Sequence, residues 1–310
     1  MKVYNCIKDF KPVPNAIVTI GNFDGVHLGH RAVFQKMISD ARETGGQTVV
    51  VTFHPHPALV LNKNSGSLKF INTLEKKIER IEAIGIDHLV IIPFTKKFAE
   101  LSSEQFIKEY IITVLHPVKI VIGYDHHFGK NRRGSFELLL KLGHEFNFQV
   151  EKVEPFIKDG ITVSSSKIRK LLREGRVEEA NKLLGYEYSI TGKVVRGNGI
   201  GRTIGFPTAN ISIANEYKLI AANGVYACRV FVNDEHYLGM GNIGTRPTIN
   251  HGELTIEVNI FDFDRDIYDE TITIAFVTRM RDEKKFDSLE ALKKQLTNDK
   301  ENTLKLLNAN

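Results

Sequence analysis

The first half of the chain alternates between short apolar runs and longer segments with helical periodicity. A β-branched run at residues 17–20 stops at a group of small and turn-forming residues, and from His30 apolar residues recur on one side of a helical segment. This pattern predicts a strand, a tight turn and a helix. The turn delivers His27 and His30 to the predicted helix N-terminus, where free N–H groups and the helix dipole favour an anion.

The same alternation continues to about residue 153. The pattern predicts further strands at 47–53, 88–94, 119–125 and 148–153, and helices at 73–84, 102–115 and 136–146. Strands that are apolar almost throughout and alternate with helices indicate a parallel sheet covered on both faces, a Rossmann-like α/β domain. Such sheets bind ligands beyond the carboxyl ends of their strands, which is where the first turn is predicted to lie.

The pattern changes near Gly185, after two short helical stretches that end near residues 174 and 184. Beyond this point short β-branched runs alternate with glycine and asparagine turns, at residues 188–195, 225–232, 254–261 and 271–277. Short strands without covering helices need closure, so a small antiparallel β-barrel is predicted. A terminal helix at 288–307 is expected to pack on it. The predicted domains are therefore residues 1–184 and 185–310.

Composition narrows the class of protein. The chain has 310 residues, of which 42% are hydrophobic and 25% charged, so disordered, fibrous and membrane classes are not indicated. The basic excess, 42 − 37 = 5, suits anionic ligands but does not by itself indicate nucleic acid. With Cys6 and Cys228 as its only cysteines and no signal-peptide pattern, the chain is expected in the cytoplasm, with small-molecule partners. Neither nucleic acid nor a membrane is expected as a partner, and the expected state is a monomer or weak oligomer.

His27 and His30 are open to three interpretations: metal ligands, structural residues or donors to a phosphate. A metal site lacks a third ligand at a suitable spacing. Gly29 between the histidines allows a ligand close to the backbone, which favours phosphate binding at this helix start.

The histidines belong to a longer pattern. The run Gly21-x-Phe23-Asp24-Gly25-Val26-His27-x-Gly29-His30 resembles the signature of HxGH nucleotidyltransferases. Three later segments extend the resemblance to the adenylyltransferase module of bacterial bifunctional riboflavin kinase/FAD synthetases: Thr52-Phe53-x-Pro55-x-Pro57, Gly123-Tyr124-Asp125-x-x-Phe128-Gly129 and Ser164-Ser165-Ser166-x-Ile168-Arg169. The resemblance implies an ATP site of Gly21, Phe23, Asp24, Gly25, His27, Gly29, His30, Ser164, Ser165 and Arg169, in which His27, His30 and Arg169 are catalytic. It also implies a flavin near Pro55, Pro57, Asp125 and Phe128.

A second signature lies in the predicted barrel. The run Gly197-x-Gly199-x-Gly201-Arg202-x-x-Gly205-Phe206-Pro207-Thr208-Ala209-Asn210 is a poor dinucleotide fingerprint, because no strand-to-helix unit surrounds it, but it resembles the riboflavin kinase signature. The resemblance implies that Gly197, Gly199, Gly201, Arg202, Thr208 and Asn210 bind ATP, and that Thr208 and Asn210 also hold Mg²⁺. It further implies that Glu257 accepts a proton from the riboflavin 5′-hydroxyl, and that Phe206, Tyr226 and Arg279 lie near the flavin. Asn259 stands where a histidine is common, and Asp269 where glycine is usual.

Two features resemble sites without matching them. His54 and His56 have metal-like spacing, but the proline between them favours a stiff loop. Residues 123–130 resemble a phosphate-binding loop, with one residue too many and Asn131 where serine or threonine is required.

The function favoured by both signatures is a two-step enzyme that uses riboflavin, FMN and ATP with Mg²⁺. One alternative is another HxGH nucleotidyltransferase with an unrelated barrel. A second is a module that binds RNA or a flavin without turnover. RNA-binding barrels usually combine exposed aromatic and basic residues, and the chain shows no dense interleaving of the two and contains no tryptophan.

Overall fold

The computed structural model describes residues 1–61, 68–124, 129, 134–197, 199–246 and 253–308. These residues form two compact units, Met1–Ser165 (unit 1) and Ser166–Asn310 (unit 2). Asp125 and Phe128, which the sequence predicts near a flavin, lie outside the described residues.

Unit 1 is built on a six-stranded parallel sheet. Its strands are β1 (Lys2–Tyr4), β2 (Ala16–Ile20), β3 (Thr48–His54), β4 (His88–Pro93), β5 (Pro117–Gly123) and β6 (Gln149–Val153). A small antiparallel pair, β7 (Ile157–Lys158) and β8 (Ile161–Thr162), follows. The helices are α1 (Leu28–Thr44), α2 (Pro57–Leu61), α3 (Leu74–Ile84), α4 (Lys96–Ala99), α5 (Ser103–Phe106), α6 (Thr113–Leu115) and α7 (Phe136–Phe146).

The strand order fixes where the first turn lies. The sheet runs β1-β4-β3-β2-β5-β6, and every neighbouring pair is parallel. The chain therefore builds one side of the sheet from β2 to β4 and then returns to the other side of β2 with β5. A crevice forms at such a reversal, beyond the carboxyl ends of the strands. The turn that carries His27 follows β2 directly and so lies at this reversal.

The predicted parallel sheet is confirmed, with two local differences. The helix predicted at 102–115 is continuous but changes type, because the π-helical segment Ile107–Ile112 separates α5 from α6. Ser102 and Gln105 form the reciprocal capping box at its start. The edge strand β1 was not predicted, since three residues are too few to show a period.

Unit 2 contains a closed antiparallel barrel. Its strands are β9 (Tyr188–Val195), β10 (Ala209–Ser212), β11 (Gly224–Val232), β12 (Glu235–Arg246), β13 (Glu253–Ile260) and β14 (Thr271–Arg281), in the order β10-β13-β12-β11-β14-β9. Strand β9 pairs with both β14 and β10, so the sheet has no free edge. The helices of this unit are α8 (Ser165–Arg173, which begins at the last residue of unit 1), α9 (Val177–Leu184), α10 (Ile200–Thr203) and α11 (Leu289–Asn308).

The predicted barrel is confirmed, but its strands β10 and β12 were not predicted. Glycines at 239, 241 and 244 hide the strand pattern of β12. Close packing explains two of them: a Cβ at Gly239 would lie 2.7 Å from the Asn259 carbonyl oxygen, and one at Gly241 3.1 Å from the Cys228 sulfur.

The border between the compact units lies before the predicted domain border at 184/185. Helix α9 belongs with the barrel because the Asn181 side chain donates to the carbonyl of Phe276 at 2.8 Å and accepts from the amide of Tyr188 at 2.7 Å. The predicted domains, 1–184 and 185–310, follow instead the change in composition of the chain, which comes after this helix.

Helix α11 packs on the barrel through an apolar face and one ionic contact. Leu292, Leu296 and Leu304 contact a cluster that includes Phe206 and Met240. On β14, Arg281 makes a forked contact to both carboxylate oxygens of Asp299, with distances of 2.6 and 3.1 Å. The Asp299 side chain is only 3% exposed, so this ion pair fastens the helix to the barrel.

We expect Asp299→Ala to lower the free energy of unfolding of unit 2 by about 3 kcal/mol, because it leaves the Arg281 guanidinium partly buried without its anion. Hydrogen exchange of the full-length protein measures this change, because the exchange rates of the β14 amides report the free energy of unfolding of the barrel. Glu301→Ala, at an exposed position of the same helix, is the control and should change the value by less than about 0.5 kcal/mol. Equal protection in both variants would contradict the prediction.

Candidate active sites

The turn between β2 and α1 has an unusual backbone. Phe23, Gly25 and Val26 all have positive φ, at 48°, 87° and 40°. Glycine adopts this region freely, but a β-branched residue such as Val26 does so only when the surrounding structure holds it there. Phe23 and Val26 are 5% and 1% exposed and pack in the core beneath the turn. Strain of this kind is typical of ligand-binding turns.

The turn brings the two histidine rings together. Their centroids are 3.6 Å apart and the ring planes differ by 18°, a stacked pair. His27 is the N-cap of α1, and its Nδ1 accepts a hydrogen bond of 3.4 Å from the backbone N–H of His30. The proton of neutral His27 therefore resides on Nε2. A Cβ at Gly29 would lie 3.2 Å from the His27 ring, so the absence of a side chain at position 29 leaves room for this ring.

His30 is more exposed overall than His27, which is 5% exposed, but its ring is packed among other side chains. Phe23 meets it edge to face at 5.2 Å, and its Nδ1 is buried without a hydrogen-bond partner among the described residues. Burial, and after it the nearby His27 and Lys77, hold the pKa of His30 well below its ordinary value. At neutral pH His30 is thus an uncharged imidazole that can donate one hydrogen bond.

Lys77 is a buried cation beside this turn. It lies on α3, is 7% exposed, and its Nζ is 3.4 Å from the Thr52 hydroxyl at the end of β3. Burial lowers the pKa of Lys77 from 10.5 to about 8, against the opposing attraction of Asp24. The sequence pattern gave no sign of this residue, because a lysine on an amphipathic helix is ordinarily solvated.

Asp24 connects the turn to two other segments. Its carboxylate accepts backbone N–H groups from Ile71 at 2.8 Å and Asn72 at 3.4 Å, just before α3 begins. Its carbonyl oxygen accepts the Ser165 hydroxyl at 2.8 Å. The second predicted phosphate-binding segment thus starts directly against the histidine turn.

The remaining described residues of the predicted ATP and flavin sites of unit 1 lie on the histidine turn, at the start of α8 and at the end of β3. Gly21 packs on Phe23, where a Cβ would lie 2.8 Å from the ring. Ser164 precedes α8, and Arg169 lies one turn into this helix, with its guanidinium 3.1 Å from the Ser166 hydroxyl. Pro55 follows β3 and Pro57 begins α2. Between them His56 accepts the Ala58 N–H at 3.1 Å, so it acts as a capping residue.

Unit 2 has its own cavity of about 550 Å³ at the side of the barrel. This volume is within the range of about 300–1,000 Å³ typical of small-molecule sites. Predicted site residues among its lining are Gly201, Phe206, Thr208 and Glu257. Met240, Leu292 and Leu296 add apolar surface, and Asn242, Asn259 and Arg281 add polar groups.

The glycines of the second signature allow close packing of their segment, and one of them, Gly201, lines the cavity. A Cβ at Gly197 would lie 2.2 Å from the Asn210 amide, and one at Gly201 2.2 Å from the Phe206 carbonyl oxygen. Gly199 has a φ of 71° and is the N-cap of the short helix α10, which carries the exposed Arg202. The segment therefore folds tightly back on Phe206 and Asn210, with room for no side chain at either contact.

Strand pairing places the three polar residues of this site together. Asn210 on β10 is the partner of Glu257 on β13, and Glu257 is also the partner of Asn242 on β12. The Thr208 hydroxyl lies 3.4 Å from the Glu257 carboxylate. A hydroxyl, an amide oxygen and a carboxylate form the oxygen set that Mg²⁺ prefers.

Two residues predicted near the flavin are not part of this cavity. Tyr226 is fully buried in the barrel core and donates to the Ala222 carbonyl at 2.5 Å. Arg279 donates to the Asn223 carbonyl and to Asp282, at 2.5 and 2.6 Å. The arginine that lines the cavity is Arg281, two residues further along β14.

A break in strand register explains this exchange. Val225 pairs with Arg281 while the next residue, Tyr226, pairs with Arg279, so β14 advances two residues where β11 advances one. Val225 and Arg281 line the cavity, and Tyr226 and Arg279 do not. Such a bulge reassigns side chains between the faces of a strand.

Comparison with known proteins finds a separate family match for each part of the chain. A family model described as FAD synthetase matches residues 10–167, and one described as riboflavin kinase matches residues 184–307. A bifunctional riboflavin kinase/FMN adenylyltransferase from Listeria monocytogenes is 41% identical over 290 residues, 93% of this chain and 91% of that protein. The Escherichia coli protein of the same description is 34% identical over 302 residues, 96% of each chain. The chain belongs to the bifunctional riboflavin kinase/FMN adenylyltransferase family.

A solved structure resembles this member of the family over nearly its whole length. It is described as a macrolide-efflux protein from Streptococcus pneumoniae, and it has a TM-score of 0.88 and 33% identity, covering 97% of this chain and 98% of that chain. The likeness supports the two-part fold. Among the described residues, none of the helices is both long enough and apolar enough to cross a bilayer.

For this member of the riboflavin kinase/FMN adenylyltransferase family, the burial of Lys77 makes stability depend on pH. The folded pKa of about 8 lies below the ordinary 10.5, so the unfolded chain binds more protons between these values and the free energy of unfolding rises with pH. The two pKa values differ by 10.5 − 8 = 2.5, and at about 1.4 kcal/mol per pKa unit the full rise is about 3.5 kcal/mol. We expect Lys77→Met to remove this rise in urea unfolding of unit 1 at pH 7 to 10.

The matched control is Lys76→Met, since Lys76 is the neighbouring lysine and forms a surface ion pair with Glu79 at 2.6 Å. It should keep the rise of stability with pH. A Lys77→Met protein with the same pH slope as wild type would contradict the burial argument.

Proposed function

We propose that this chain carries out both reactions of its family: unit 2 phosphorylates riboflavin with ATP to FMN and ADP, and unit 1 adenylylates FMN with a second ATP to FAD and pyrophosphate. The observation that supports it best is that each unit gathers its own signature residues. The stacked His27 and His30 lie at the reversal of the parallel sheet, and Thr208 and Glu257 face one cavity of the barrel.

Adenylyl transfer requires no nucleophile from the protein. A phosphate oxygen of FMN attacks the α-phosphorus of ATP in line, a new P–O–P bond forms, and the bond to the bridging oxygen breaks as pyrophosphate leaves. The protein must position the two phosphates and stabilise charge. In our proposal the Nε2–H of His27, the uncharged imidazole of His30 and the Arg169 guanidinium donate to the ATP phosphates. Backbone N–H groups at the start of α1 add to them.

The kinase reaction begins from a weaker nucleophile, the 5′-hydroxyl of riboflavin. Glu257 accepts its proton as the hydroxyl oxygen attacks the γ-phosphorus and ADP leaves. Thr208 and Asn210 would hold Mg²⁺, since they offer neutral oxygens beside the Glu257 carboxylate. The ion, when bound, neutralises phosphate charge. The apolar residues of the cavity, among them Phe206, provide the surface on which a flavin ring packs.

One incubation separates this function from its alternatives. With riboflavin, ATP and Mg²⁺, chromatography of the flavins should show FMN and then FAD. FAD formed only from supplied FMN would indicate a nucleotidyltransferase with an unrelated barrel. No product from either flavin would indicate a binding module.

For unit 1 we predict that His27→Ala and His30→Ala each lower FAD formation from FMN by about 10²-fold or more, the range for loss of one transition-state donor. His144→Ala, at an exposed position on α7, should retain wild-type rates. The assay follows FAD from supplied FMN, so the kinase does not limit it. Wild-type rates in both histidine variants would exclude this assignment.

For unit 2 we predict that Glu257→Gln lowers the rate of riboflavin phosphorylation by about 10²- to 10⁴-fold, because the amide cannot accept the hydroxyl proton. FMN and FAD are summed as the kinase product. FAD formation from supplied FMN serves as the control within the same molecule and should be unaffected. Full kinase turnover in this variant would rule out Glu257 as the base.

A further inference from the structure

The pairing of β10 with β13 begins at Ala209, so Thr208 lies just outside the paired strand. The first pairs of β10 are Ala209 with Val258 and Asn210 with Glu257, and the residues that precede them in the chain are Pro207 and Thr208. Proline has no N–H group and cannot continue a strand ladder. The backbone that carries Thr208 therefore lacks the ladder contacts that fix Asn210.

A side chain of β13 takes over at this point. The Asn259 amide donates a hydrogen bond of 2.6 Å to the Pro207 carbonyl oxygen. The Asn259 side chain is anchored in the protein, since the residue is only 6% exposed, and it reaches out to the exposed Pro207. Pro207 is thereby held to β13 by a side chain where the backbone cannot hold it.

Asn259 lies on the same face of β13 as Glu257, the proposed base. It lies two residues after Glu257, so both side chains project from the same face of β13. Both residues line the barrel cavity together with Thr208, whose hydroxyl is 3.4 Å from the Glu257 carboxylate. One face of one strand thus presents the proposed base and the group that anchors the backbone next to Thr208.

We propose that Asn259 is a positioning residue of the kinase site: its amide N–H holds the Pro207 carbonyl, and so keeps the Thr208 hydroxyl in place beside Glu257 for Mg²⁺ and ATP. This inference rests on the proposed function of unit 2. This role requires a side chain that carries a hydrogen-bond donor and is long enough to reach the Pro207 carbonyl oxygen. Histidine also meets this requirement, whereas aspartate and leucine offer no donor at neutral pH.

The experiment compares Asn259→Asp, Asn259→Leu and Asn259→His in the full chain. Riboflavin phosphorylation is measured as FMN plus FAD while Mg²⁺ and ATP are varied. We expect the aspartate and leucine variants to lose at least 10-fold in kcat/KM for ATP and to need several-fold more Mg²⁺ for half-maximal rate. The histidine variant should remain within about threefold of wild type, and FAD formation from supplied FMN should be unchanged in all three.

Three results would overturn the inference: unchanged Mg²⁺ dependence in the aspartate and leucine variants, equal losses in all three variants, or a fall in kcat with KM for ATP and Mg²⁺ dependence unaltered. Thermal unfolding of each variant identifies loss of folded barrel. If the aspartate variant does not fold, the leucine and histidine pair gives the same comparison. A wild-type protein that forms no FMN would refute the proposed function itself, whereas failure of the positioning role leaves wild-type turnover intact.

Discussion

The reversal of strand order beside β2 is the constraint on which the first site depends. Because β3 and β5 flank β2 on opposite sides, the chain leaves Ile20 at the reversal of strand order, where sheets of this kind bind ligands. The turn there bends sharply, with Phe23, Gly25 and Val26 in the left-handed region, and its apolar side chains are held in the core. Core packing thus stabilises a strained backbone that places His27 and His30 at a helix start.

The second site obeys a different constraint, the closure of a barrel. Strand pairing across β10, β13 and β12 puts Asn210, Glu257 and Asn242 side by side, and glycines permit the close approach of the covering segment. Helix α11 completes the apolar wall and is fixed by the Arg281–Asp299 ion pair. Since Arg281 also lines the cavity, anchoring of the terminal helix and shaping of the site share one side chain.

The two units meet their anionic substrates with different chemistry. In unit 1 the groups beside the turn are nitrogen donors, and burial keeps His30 uncharged and lowers the pKa of Lys77. In unit 2 the cavity also presents the Thr208 hydroxyl and the Glu257 carboxylate, oxygen groups that suit a metal ion and a proton acceptor. The difference fits the nucleophiles of the proposed reactions, since FMN brings an oxyanion already formed and riboflavin brings a hydroxyl that must lose its proton.

The sequence alone determined the parallel sheet, the barrel and the signature turns. Each of these can be predicted from residues close together in the chain, by the spacing of apolar residues and the positions of glycines. Tertiary structure decided the rest. A register break at Met280 turned Arg281 into the cavity in place of Arg279, and this break depends on pairing with β11. The burial of Lys77 beside Thr52 and the contact of Asn259 with Pro207 join residues 25 and 52 positions apart. Such contacts arise only when separate strands and helices pack together, so no local pattern records them.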